Sequence, residues 1–114
     1  MGLAECFRLE GKKLFITGGS RGLGREMALA IAEAGADVAL AAREPASMED
    51  VAQQIRSFGR QVWTIAADIG DPQACQSACE AALRDAGTFD ILINNVGGRR
   101  VDVPVEDQTL AQWK

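Results

Sequence analysis

The sequence predicts an α/β fold: a doubly wound parallel sheet, present as its first half with strand order 3-2-1-4. Three observations predict it. Short apolar runs alternate with longer stretches whose apolar residues recur at helical spacing. The connections are short, so successive strands lie parallel with helices on both faces, joined by right-handed crossovers. A glycine-dense turn joins the first strand to the first helix, as in folds of this class that bind a ligand at the strand ends.

The elements follow in order. Lys12-Lys13-Leu14-Phe15-Ile16-Thr17 is a buried strand ending in glycines. Leu23, Met27, Ala30, Ile31 and Ala34 form one face of a helix that Gly35 closes. Asp37 to Ala42 is the second strand. Pro45 and Ser47 open the second helix, with Ser47 as N-cap and Asp50 as its capping-box-like partner. Its stripe is Met48, Val51, Ile55 and Phe58, and Gly59 ends it. Gln61 to Ala66 is the third strand. Asp71-Pro72 caps and starts the third helix, which runs to about Ala86. Phe89 to Ile93 is the fourth strand, and Thr109 to Gln112 begins a further helix.

Composition bounds the chemistry. The chain has 114 residues, one domain or part of one. Its net charge of −4 argues against general nucleic-acid binding, which needs a basic face. There is no His and no Tyr, which excludes an imidazole base and a phenolic acid within these residues. No apolar run approaches the ~20 residues of a membrane span. The three Cys form an odd set without a CxxC, and no leader is visible, so a reduced, cytoplasmic setting is expected. Cys75 and Cys79 read as buried packing residues rather than a metal or redox pair, and no metal site is predicted. Lys12, Lys13 and Lys114 have no evident partners.

The turn Thr17-Gly18-Gly19-Ser20-Arg21-Gly22-Leu23-Gly24 is an anion site on physical grounds. Gly18 permits the sharp exit from the strand. Gly22 and Gly24 let a phosphate and the sheet approach the backbone. The helix N-terminus supplies N–H groups and a positive dipole end, and Arg21 and Arg25 add charge. A Walker A loop would need Lys and Ser or Thr where Arg25 and Glu26 stand. A G-x-G-x-x-G starting at Gly22 would end on Met27, too large for close helix packing. Thr-Gly-x3-Gly-x-Gly fits from Thr17 to Gly24.

That loop, Asn94-Asn95-Val96-Gly97 after the fourth strand, and Asp68-Ile69 after the third together resemble the short-chain dehydrogenase/reductases over nearly the whole chain. Val96 stands where that family usually has Ala. The resemblance implies a Rossmann-type domain binding a nicotinamide dinucleotide. It gives the loop residues Gly18, Ser20, Arg21, Gly22, Leu23 and Gly24 to the cofactor. Asp68 and Ile69 would hold the adenine, and Asn95, Val96 and Gly97 would line the cofactor at the fourth strand. Two simpler readings stand beside it: Asn94 and Asn95 as a polar strand end satisfying backbone groups, and Asp68 as a turn cap.

An NAD-binding site places a carboxylate at the end of the second strand. Here Ala42 is followed by Arg43, whose guanidinium would grip a 2′-phosphate with Arg21 approaching from the adjacent loop. NADP(H) is therefore expected over NAD(H), against the reading of Arg43 as a solvated loop charge. Arg99 and Arg100 read equally as an anion-facing pair or a solvated one.

The resemblance also implies a tyrosine, lysine, serine and asparagine for catalysis, all beyond residue 114. Residues 1–114 are thus expected to be the cofactor half of a longer oxidoreductase interconverting a small-molecule alcohol and carbonyl, without catalytic residues and inactive alone. The alternative is a non-catalytic dinucleotide-binding module, or a truncated remnant with no activity of its own. The fourth strand, apolar and left at the sheet edge, is expected to promote self-association.

Overall fold

A computed structural model describes residues 3–96 and 104–113. The first element is one the sequence did not suggest, a short helix α1 (Leu3–Cys6). Then come β1 (Lys13–Thr17), α2 (Gly22–Glu33), β2 (Asp37–Ala42), α3 (Pro45–Ser57), β3 (Val62–Ala66), α4 (Pro72–Ala86) and β4 (Ile91–Asn94). A 3-10 turn (Val105–Asp107) and α5 (Leu110–Trp113) follow. All pairings are parallel, in the order β3-β2-β1-β4. Among the described residues no helix is long and apolar enough to cross a membrane.

Both faces of β1 and β2 are covered, which is why these two strands read as continuous apolar runs. Leu14, Ile16, Val38 and Leu40 point to one face and pack against Ala28, Ala32, Met48, Val51 and Ile55 of α2 and α3. Phe15, Ala39 and Ala41 point to the other and meet Ala82 of α4, with Trp63, Ile65 and Phe89 around them. Phe89 meets Phe15 edge-on, with ring centroids 5.4 Å apart.

Several expectations are corrected. The buried face of α2 is Gly24, Ala28 and Ala32, while Leu23 and Ala30 of the expected stripe are exposed. The fourth strand begins at Ile91, not Phe89. Phe89 instead packs as a lead-in, and the Asp90 carboxylate accepts from the Lys13 backbone N–H at 3.0 Å. The N-cap of α3 is Glu44, not Ser47, because Pro45 with its fixed φ occupies the first turn. Ser47, already inside the helix, donates its hydroxyl back to the Glu44 carbonyl at 2.7 Å. Phe58, at the C-cap of α3, is 40% exposed and leaves the buried stripe. The cysteines of α4 are not core residues: Cys75 is half-buried and Cys79 exposed. The stripe that faces the sheet is Ala78, Ala82 and Ala86, and Cys75 and Cys79 lie beside it on the helix. Lys13 is also partnered, donating to the Ala86 carbonyl and resting 5.9 Å from the Trp63 ring centre.

Candidate functional site

The carboxyl ends of the four strands lie along one edge of the sheet. Parallel register sets Thr17 beside Ala41 on one side and Asn94 on the other, and Ala42 beside Ala66. Every candidate loop therefore leaves from the same edge. The strand order reverses between β1 and β4, and a crevice at such a point is where ligands bind in open α/β sheets.

Thr17 holds the seam together. It is 5% exposed, and its hydroxyl oxygen accepts from the backbone N–H groups of Asn95, at 3.1 Å, and Val96, at 3.3 Å. The Asn95 side-chain amide donates to the Gly18 carbonyl at 3.0 Å. Gly18 in turn donates its N–H to the Ala41 carbonyl at 2.9 Å. The loop after β1 is thus tied to both neighbouring strands before any ligand is considered.

The glycines of the loop have different tasks. A Cβ on Gly24 would stand 2.2 Å from the Gly18 carbonyl oxygen and 2.3 Å from the Asn95 Nδ2, so only glycine lets α2 start this close to the strand end. Gly22 has φ +60, and a Cβ there would meet nothing within 4 Å. It lies at the first turn of α2, where unsatisfied N–H groups gather. The donor chemistry fits a dinucleotide pyrophosphate: a helix N-terminus, a close backbone and open space beside it.

The remaining sequence-derived residues fall around this centre. Ser20 is half-buried, and Arg21, Gly22 and Leu23 are exposed, with Leu23 at 72%. Arg43 is exposed just past β2. Arg25 does not add free charge to the loop: Glu26 and Asp50 each pair with its guanidinium at 3.2 Å. The Asp68 carboxylate accepts from the Gly70 N–H at 3.0 Å, making a turn ahead of α4, while Ile69 packs against the second core cluster. Asn95 is half-buried and Val96 is 53% exposed. Gly97, Arg99 and Arg100 lie outside the described residues. Sequence reasoning did not single out Thr17 as a hub; its signal is a hydroxyl closing an otherwise apolar strand. It also passed over Gly19, whose Cβ would stand 2.7 Å from Leu40 Cδ2. Among the described residues no metal-ligating cluster occurs.

Comparison with known proteins agrees with this fold. The family profile described as short chain dehydrogenase matches residues 12–114. An oxidoreductase of Mycobacterium tuberculosis is 46% identical over 96 residues, covering 84% of this chain and 36% of the relative. L-Sorbose reductase from Gluconobacter frateurii, solved with NADPH and L-sorbose, superposes with TM-score 0.82 at 29% identity. That match covers 94% of this chain and 41% of the reductase. Carveol dehydrogenase from Mycobacterium avium, solved with NAD, superposes with TM-score 0.81 at 25% identity, covering 93% and 43%. The chain therefore spans well under half the length of these relatives.

Proposed function

The chain belongs to the short-chain dehydrogenase family, and on that premise we propose that it is the cofactor-binding part of an NADP(H)-dependent oxidoreductase interconverting an alcohol and a carbonyl. The observation that carries the proposal is the Thr17–Gly24 loop, tied by Thr17 and Asn95 to the reversal point of the sheet with a helix N-terminus behind it.

Gly18, Ser20, Gly22, Leu23 and Gly24 would hold the pyrophosphate through backbone approach and the helix dipole. Arg21 and Arg43 would grip the 2′-phosphate, with no carboxylate at Ala42 to repel it. Asp68 and Ile69 would border the adenine, the Asp68 turn holding that loop in shape. Asn95, Val96 and Gly97 would line the cofactor beyond β4. The nicotinamide supplies or takes the hydride when bound, and this part of the protein orients it. The solved relatives include both an NADPH and an NAD complex, so the NADP(H) preference rests on Arg43 and Ala42 of this chain.

Residues 1–114 contain no Tyr and no His. The proton donor for a carbonyl oxygen, a contribution of typically ~10²–10⁴-fold, is therefore not a phenol or imidazole of this segment. We propose that the segment alone does not turn over substrate, that its self-association runs through β4, and that it works in the reducing cytoplasm, in keeping with cysteines that form no disulfide. Titration of the 114-residue chain with NADPH and NADH, followed by an alcohol and carbonyl panel, tests the reading. Tighter NADPH binding without turnover is expected. Failure to bind either dinucleotide overturns the cofactor site, and robust turnover overturns the proposed inactivity.

A further inference from the structure

Cys75 and Cys79 stand one helical turn apart on α4, beside the alanine stripe that faces the sheet. Neither is in a disulfide. Both line an open groove of about 600 Å³ whose apolar wall is Ile69, Pro72 and Leu83. The proposed cofactor site uses no residue of α4; Ile69, at the rim of the groove, is the residue the two share. We infer that Cys75 and Cys79 form a dithiol clamp for a thiophilic trivalent centre of the organoarsenical class, whose apolar substituent lies along Pro72 and Leu83.

Spacing separates a bridged dithiol from a disulfide. Residues at i and i+4 on a helix have Cβ atoms roughly 5–6 Å apart, whereas a disulfide needs about 3.5–4.5 Å. Direct S–S closure would therefore distort α4. An inserted atom with bonds to sulfur of roughly 2.3 Å, the length known for zinc thiolates, spans the difference without distortion. The thiols also interact: Cys79 has its pKa raised, first by burial, then by the charge and hydrogen bond of Cys75, then by Glu80. A bare Cys79 thiolate is disfavoured here, while a bridge leaves no charge on either sulfur.

The step balances without an oxidant. An arylarsenous acid carries two As–OH groups. Each thiol forms one As–S bond as one As–O bond breaks, and each thiol proton leaves with a hydroxyl as water. Arsenic stays trivalent and nothing is oxidised or reduced.

Phenylarsine oxide, hydrated in buffer, is the probe, added in equal amount to the full 114-residue chain. Intact mass and counting of reactive thiols are expected to show one arylarsenic group per chain and two of the three cysteines protected, leaving Cys6. Under challenge with excess glutathione, the adduct should persist roughly 10²–10⁴-fold better than in Cys75→Ser or Cys79→Ser, because the second bond is intramolecular. Cys6→Ser should match the parent. Circular dichroism of the unreacted variants checks that each is folded, and the two serine variants test the clamp independently. Equal persistence in either serine variant overturns the proposal. So does protection that appears only in urea, or ready closure of a Cys75–Cys79 disulfide under mild oxidant with helicity retained.

Discussion

Gly24→Ala is a sharp test of how the loop is built. Its new Cβ would sit 2.2 Å from the Gly18 carbonyl oxygen and 2.3 Å from the Asn95 amide nitrogen. Ordinary non-bonded contact lies near 3.5 Å, so α2 or the β1 end must move by about 1 Å. Overpacking of this kind costs about 1–3 kcal/mol. Losing the Asn95–Gly18 hydrogen bond adds about 0.5–1.5 kcal/mol. Alanine recovers about 1 kcal/mol through its better helix propensity. The net is a destabilisation of roughly 0.5–3.5 kcal/mol, a substantial fraction of the 5–15 kcal/mol typical of a domain.

Gly22→Ala is the matched control. There a Cβ meets no atom within 4 Å, so the cost is that of φ +60 alone, about 1–2 kcal/mol for an L-residue. Urea denaturation followed by circular dichroism gives both stabilities, and NADPH titration gives both affinities. Gly24→Ala should reduce binding as well as stability, since the groups it displaces are those that fix the loop. A Gly24→Ala protein as stable as the parent or more so, with unchanged binding, would refute the close approach: helix propensity would then have outweighed a clash that does not exist.

Other expected outcomes concern the ligand side and the sheet edge. Gly22→Val should abolish NADPH binding while leaving helical content largely intact, because its branches enter the space beside the helix N-terminus; retained binding would place the phosphate site elsewhere. Arg43→Asp should reverse the order of NADPH and NADH affinities in a paired titration, and an unchanged order removes Arg43 from the site. Leu92, 63% exposed on β4, should give weaker self-association in sedimentation when changed to Lys. Its exposure limits the loss of stability to about 0.5 kcal/mol, less than its apolar sequence context suggests.

What was legible in the sequence follows from how each residue is held. β2 ends where its apolar run ends because both faces of that strand are buried, so polarity changes where the strand stops. The loop was legible because glycine spacing is a backbone requirement, visible without knowing the neighbours. β4 was misjudged at its start because Phe89 is apolar for a tertiary reason, its edge-on contact with Phe15. On α4 the rows 74/78/82 and 75/79/83 are both small or apolar in sequence. Only packing decides which faces the sheet, and alanine lets the helix sit closer than cysteine would. Asn95 was expected at the cofactor, but its Nδ2 bond to Gly18 could not be read from a dipeptide of two asparagines.

The Thr17 bonds also connect the site to the least supported part of the sheet. β4 has β1 as its one strand neighbour among the described residues, and its pairing partner at the carboxyl end is Thr17 itself. The hydroxyl that fixes Asn95 and Val96 therefore anchors the carboxyl end of a strand paired on one side among the described residues, where local opening costs least. Whatever pairs with the free edge of β4, a further strand or a second copy, would restrict that opening. It would hold Asn95 on Gly18 and keep the loop in the geometry proposed to receive a phosphate. Cofactor affinity and the state of the β4 edge are then linked, and by reciprocity a bound dinucleotide should favour whatever occupies the edge.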